Sequence, residues 1–241
     1  MKRGEDSKSF DFCLPKGAVL GPLVVAGVTI EKKSEKKLKA LGVKDSKELS
    51  PAKREKLYGL IQKIAKDIFV LKVAPCRIDT YRNMGINLDR IEAMKMAEII
   101  DFNSSQKVYI DSLTHNPKRF KTVVTSFTKN KNAELIVENY MDESVVVVSA
   151  ASIVAKVERD KEIEELKLQV GVDFGVGYPH DPLTIQFIEK IIKETNGKQL
   201  PDYIRKSWVT TEFLQEKAWQ RKVMDFIFRK NEVECEPKEM E

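Results

Sequence analysis

Two aspartates hold the clearest chemical possibility in this chain. Asp111 closes the short apolar stretch "KVYID" (107–111), and Asp142 lies near the end of "ELIVENYMDE" (134–143). Two carboxylates brought together repel each other unless a cation lies between them, and hard oxygen donors select magnesium or manganese over zinc. Either residue could equally cap a helix or a turn. Lys44 and Lys47, on either side of "DS", could hold phosphates or simply face water. Lys156 and Arg159 lie three apart on one predicted helix, a spacing that could present a paired cationic edge to a nucleic-acid backbone. Glu158, Asp160 and Glu162 are near enough to neutralise that pair. Tyr178, within "FGVGYPHDP", either offers its ring for stacking or packs it inward. His115 and His180 are read as surface histidines.

The elements that must position these groups alternate between strand and helix. "LVVAGVTI" (23–30) is β-branched and apolar, and "IFVLKVAP" (68–75) repeats that character. Between them lie charged, amphipathic helical segments, one opened by Ser50 and Pro51 as N-cap and first-turn residue. "NLDRIEAMKMAEII" (87–100) carries apolar residues at helical spacing. "SAASIVAKVERDKEIEELKL" (149–168) reads as a long helix with Ser149 as its candidate cap. This alternation makes an α/β sheet with ligands beyond the carboxyl ends of its strands the expected architecture. Beyond Gly177 the pattern turns helical, and the tail "NEVECEPKEME" is acidic and expected to be disordered.

Composition sets outer limits. The 241 residues are 42% hydrophobic and 33% charged, with 42 basic against 37 acidic side chains and a net charge of +5. Such a chain buries one good core and permits nucleic-acid binding without requiring it. Its three cysteines, Cys13, Cys76 and Cys235, are odd in number and widely spaced, which supports neither a disulfide framework nor a zinc site. A cytoplasmic location and a monomer are expected. The uncharged run from Gly17 to Ile30 is too short for a bilayer span, and Glu5 and Asp6 ahead of it argue against a signal peptide.

Taken in order, "KGAVLGPLVVAGV" (16–28), "LGVKDSKELS" (41–50), "VYIDS" (108–112), "VVSAASIVAKVERD" (147–160), "DFGVGYPHDP" (173–182) and "IRKSW" (204–208) resemble ribonuclease HII of the archaeal type. The resemblance implies a ribonuclease H-like domain over residues 1–182, a mixed sheet flanked by helices, followed by a helical region over 183–228 and an acidic tail over 229–241. It implies an endonuclease that cuts the RNA strand of RNA/DNA hybrids and single ribonucleotides embedded in DNA, leaving 5′-phosphate and 3′-hydroxyl ends. Four carboxylates would hold Mg2+ or Mn2+ in a two-metal site. Asp111 and Asp142 match the third and fourth of them. Lys16 and Gly17 match the turn that contacts the scissile junction. Tyr178 matches the tyrosine that stacks on the deoxyribose after the ribonucleotide, and Lys47 and Lys156 match basic substrate contacts.

One segment departs from the pattern. The family's first strand reads Gly-Ile-Asp-Glu-Ala-Gly, and its acidic pair falls here on Phe12 and Cys13. Phenylalanine has no donor atom and a thiol is too soft for magnesium. Using Asp11 instead would turn its side chain to the opposite face of a strand, and Pro15 replaces the first glycine of the turn. Three accounts fit: residues 1–15 are not the native ones, the chain binds hybrids without cutting them, or it keeps weak activity on an altered metal site. Impaired cleavage is the expectation for the chain as written, with a catalytically silent hybrid-binding paralogue as the alternative.

Overall fold

The computed structural model describes residues 17–43, 49–103, 105 and 107–231, with side chains up to residue 220. Strand β1 (Leu23–Thr29) pairs antiparallel with β2 (Asp67–Val73), Leu23 opposite Val73 and Thr29 opposite Asp67. Strand β3 (Lys107–Asp111) pairs in parallel with β4 (Glu134–Glu138), Asp111 opposite Glu138. Parallel and antiparallel pairing together give the mixed character expected, although the described strands form two separate pairs.

Helices fill the connections. After a short 3-10 turn come α1 (Glu35–Ala40) and α2 (Pro51–Ile64), then α3 (Pro75–Asn83) and α4 (Leu88–Phe102). Helix α5 (Pro117–Phe127) makes the crossover between the parallel strands. A single turn, α6 (Met141–Ser144), leads into the long α7 (Val146–Val170); α8 (Pro182–Glu194) and α9 (Val209–Asn231) follow. Ser50 caps α2 as its sequence suggests, its hydroxyl accepting from the Lys53 amide at 3.4 Å, with Pro51 in the first turn. Ser149 does not cap α7. That helix starts three residues earlier, after an extended Val145, and Ser149 lies inside it.

Three apolar clusters hold these elements together. Leu38, Leu57, Ile61, Ile153 and Val154 join α1, α2 and α7 against the face of β1. Ala93, Ile100, Phe120, Val124, Leu135 and Val137 join α4 and α5 to the parallel pair. The third cluster ties Val19, Leu20, Ile78 and Ile91 to Phe174, Phe187, Ile188, Ile204 and Trp208. Each buried aliphatic side chain of this kind contributes roughly 1.5–3 kcal/mol. The third cluster decides the placement of the C-terminal region, because it packs α8 and the 200–208 loop onto the start of β1. An antiparallel bridge between Leu20 and Ile204 reinforces that contact. Gly27 is required where α4 crosses β1, since a Cβ there would lie 2.7 Å from Ile99 Cγ2.

Candidate active site

Asp111 is the last residue of β3, and its carboxylate Oδ1 accepts from the Met141 amide at 3.1 Å. The Ser112 amide donates to the Glu138 carbonyl at 2.8 Å, extending the parallel pairing by one bond. The Asn139 side-chain amide then donates to the Thr114 carbonyl at 2.8 Å, and the chain turns back at Tyr140, which holds the left-handed conformation (φ 61, ψ 33). This turn corrects the sequence reading of 134–143 as one strand ending in acid. The strand stops at Glu138, and Asp142 rides on the one-turn helix α6, where it is buried. Ser149 reaches back from α7 and donates to the Asp142 carbonyl at 2.5 Å.

Asp111 and Asp142 line the same cavity of about 700 Å3. Its walls include consecutive residues of β1 (Val24–Thr29) and of β3 (Lys107–Asp111), so both strands present an edge that no described strand covers. Glu92, in the first turns of α4, and Glu35, at the start of α1, add two further carboxyl groups to the wall. Glu92 is the one with a strongly shifted acidity. Burial pushes its pKa up to about 7, with the negative charge of Asp89 adding to the rise and Arg205 opposing it. Sequence reading passed over Glu92; the available signal was an acid flanked by Ile91 and Ala93 at inward-facing helical positions.

A second group of residues gathers around the Gly17 turn. Gly17 has φ +145, and a Cβ there would lie 2.8 Å from Trp208 Cζ2, so only glycine lets the turn lie flat against the indole. Arg82 and Arg205 each place a guanidinium 4.9 Å from the centroid of the Trp208 ring. The Val19 and Leu20 amides both donate to the Gly177 carbonyl, at 2.9 and 3.2 Å, which fixes the Gly17 turn to the loop carrying Tyr178. Tyr178 is half-buried, with the Arg159 guanidinium 4.2 Å from its ring centroid and the His180 ring stacked at 5.5 Å. Gly17 and Tyr178 are therefore brought together through the backbone. Trp208 and Arg205 were not singled out from sequence, although "IRKSW" contains both.

Of the two cations proposed as an edge on α7, Arg159 is committed to another loop. Arg159 turns to the Tyr178 loop, and Lys156, like Arg159, is half-buried. The neighbouring acids are engaged with other elements: Asp160 with Arg54 at 3.0 Å, Glu162 with Lys72 at 2.8 Å, and Glu158 with Lys72 and Lys161 at 3.1 Å each. Lys16 and Lys47, and with them Phe12, Cys13 and Pro15, lie outside the described residues.

The donor set fits a hard divalent cation in type but not in number. Asp111 and Asp142 supply oxygen ligands of the kind magnesium and manganese prefer. Among the described residues, however, no group of three or more His, Cys, Asp or Glu side chains could hold a metal ion. No described helix is long and apolar enough to cross a membrane.

Parallel and antiparallel strand pairs flanked by helices, with Asp111 closing β3 and Asp142 on the turn after β4, define the class as an α/β protein of ribonuclease H-like fold. The family model described as ribonuclease HII matches residues 15–211, and the chain belongs to that family. It is 41% identical over 207 residues to the ribonuclease HII of Methanosarcina barkeri, covering 83% of this chain and 92% of that one. The crystal structure of ribonuclease H2 from Pyrococcus horikoshii superposes with a TM-score of 0.77 at 38% identity, over 86% of this chain and 95% of that one. The Archaeoglobus fulgidus ribonuclease HII, whose structure is a complex with PCNA, aligns at 39% identity with a TM-score of 0.73, over 82% and 91% of the two chains. The family is one of ribonuclease H-type endonucleases. The matched region starts at residue 15, so Phe12 and Cys13 fall outside it.

Proposed function

We propose that this protein recognises RNA/DNA hybrids and ribonucleotides embedded in DNA, and that the chain as written cuts them poorly. The observation that carries the reading is the convergence of Asp111 and Asp142 on one cavity, together with the joining of the Gly17 and Tyr178 segments. In this reading the Gly17 turn presents backbone to the scissile junction, Tyr178 stacks on the sugar that follows, and Lys16, Lys47 and Lys156 contact phosphates. Asp111 and Asp142 would hold Mg2+ or Mn2+. When bound, such ions generate a nucleophilic water and stabilise the leaving oxygen.

The shortfall lies in charge. Two divalent ions bring four positive charges, and two carboxylates offset only half of them. Phe12 and Cys13 stand where the family's other two acids would be. A catalytically silent hybrid-binding protein is the second reading, favoured by that same substitution.

The test is a cleavage assay on an embedded-ribonucleotide duplex, in magnesium and in manganese. The chain is compared with a variant carrying Phe12→Asp, Cys13→Glu, Leu14→Ala and Pro15→Gly. The variant should be faster by at least ~10³, since each lost metal function is worth several kcal/mol and about 1.4 kcal/mol is tenfold in rate. Equal rates would mean that the metal ligands are misassigned. Cleavage by neither protein, with hybrid binding intact, would favour the silent reading.

A further inference from the structure

Arg159 is costly where it sits. It occupies the middle of α7, half-buried, and among the described residues its enclosed Nε has no hydrogen-bond partner. Burial of this kind lowers the guanidinium pKa from its ordinary value. A position chosen for packing alone would not carry a guanidinium with an enclosed, unsatisfied Nε, so the residue calls for another explanation.

Its contacts all point to one loop. Arg159 Nη2 donates to the Val176 carbonyl at 3.1 Å, and its guanidinium carbon lies 4.2 Å from the centroid of the Tyr178 ring. Gly177, between those two residues, leaves the space the guanidinium uses: a Cβ there would lie 3.2 Å from Arg159 Nη2, at a φ of +78. The backbone of the loop is held by other groups. The Gly177 amide donates to Thr184 Oγ1 at 3.0 Å, and the Asp181 carboxylate accepts from the Val176 amide at 2.7 Å. Those bonds fix where the loop lies but not how the phenol ring is turned. Among the described residues, Arg159 and the exposed His180 lie against the ring itself.

We propose that Arg159 is a positioning residue that sets the orientation of the Tyr178 ring, and thereby the preference of the protein for an RNA-to-DNA junction over a continuous hybrid. The proposal rests on the reading of Tyr178 as the junction contact. Arginine suits the task because its planar fork lies over a ring while donating sideways to a carbonyl, which a lysine ammonium cannot do in one geometry. A cation–π contact is worth about 0.5–2 kcal/mol, which corresponds to about 2- to 30-fold in affinity.

The experiment measures binding by anisotropy at low salt, with the full chain and no added metal. The probes are an embedded-ribonucleotide duplex, a continuous RNA/DNA hybrid and a plain DNA duplex. Wild type should prefer the junction, and Tyr178→Ala should abolish that preference. Arg159→Met should lower it by about 2- to 30-fold, leaving the affinity for continuous hybrid unchanged. Arg159→Lys, which keeps the charge and disturbs the fold least, should fall between them. If Arg159→Met and Arg159→Lys both keep the full preference while Tyr178→Ala loses it, the inference about Arg159 is wrong and the Tyr178 reading stands. Equal weakening on all three probes assigns Arg159 a merely structural role and overturns the proposal. A wild type without junction preference, or a neutral Tyr178→Ala, removes both.

Discussion

The Ser149 hydroxyl and the main-chain carbonyl of Asp142 form a hydrogen bond across seven residues, joining the interior of α7 to the one-turn helix that carries the acid. Ser149 is buried, and its hydroxyl also lies within bonding distance of the Val145 carbonyl at 3.3 Å. Replacing it by alanine leaves the Asp142 carbonyl short of a donor in a buried place, at a cost of about 1–3 kcal/mol. Ser149→Ala should therefore lower stability in urea titration by that amount. It should also weaken Mn2+ binding measured by calorimetry, because the backbone beneath Asp142 is no longer fixed.

Glu92 predicts a specific pH dependence of stability. Its pKa is raised by burial from an ordinary 4.5 to about 7, so between those values the folded protein binds more protons than the unfolded chain. Stability must then fall as pH rises from about 4.5 to about 7 and level off above that. The penalty at alkaline pH is about 3 kcal/mol by the size of the shift. Glu92→Gln should remove this part of the slope and stabilise the protein at pH 8. Urea titrations of both proteins at pH 5 and pH 8 check it, and parallel slopes would contradict it.

Gly17 and Trp208 make a prediction about backbone. Gly17→Ala meets the indole at 2.8 Å and places a side chain at a φ that L residues rarely adopt. Backbone strain of this kind costs about 1–3 kcal/mol. Trp208→Leu costs stability of its own, because the indole is buried in the third cluster. It removes the steric contact but leaves the φ unchanged, so Gly17→Ala should cost less in the Trp208→Leu background than in wild type and still cost something. Thermal melts of the single and double variants separate the two components. No remaining cost of Gly17→Ala in that background would show that the clash alone limits the position.

The strands and most helices were legible because their signals are local. The β-branched runs that became β1 and β2 and the Ser50–Pro51 start of α2 each carry their instruction within a few residues. What was missed depends on distant partners. "ENYMDE" reads as continuing strand because Tyr140 suits a strand, yet Asn139 is captured by the carbonyl of Thr114, in the loop after β3. The turn at Tyr140 follows from that capture, and Asp142 lands on a helix instead of a strand end. Arg159 shows the same limit. Spacing pairs it with Lys156, but its observed partners are 17 and 19 residues further along the chain. Of the candidate site, Asp111, Asp142 and Tyr178 were legible as residues, with their roles and Gly17 supplied by motif resemblance, whereas Glu92 and Trp208 needed tertiary packing to be seen.

Removal of metal should distinguish ligands from bystanders without any appeal to catalysis. If Asp111 and Asp142 lie against the scissile phosphate, their negative charges oppose hybrid binding whenever no cation is present. Unit charges about 4 Å apart interact by about 4 kcal/mol at the effective dielectric near a protein surface, and salt screening reduces this further. Asp111→Asn and Asp142→Asn should therefore each tighten binding of an RNA/DNA hybrid in EDTA, by about three- to tenfold at low ionic strength. Adding Mn2+ should improve wild-type binding and leave the double variant unchanged. Lys156→Ala provides the opposite sign: it should weaken binding to every hybrid sequence alike and reduce the salt slope by about one. Anisotropy titrations with and without Mn2+ read all three. If the asparagine variants bind no more tightly in EDTA and still respond to Mn2+, neither aspartate is a metal ligand.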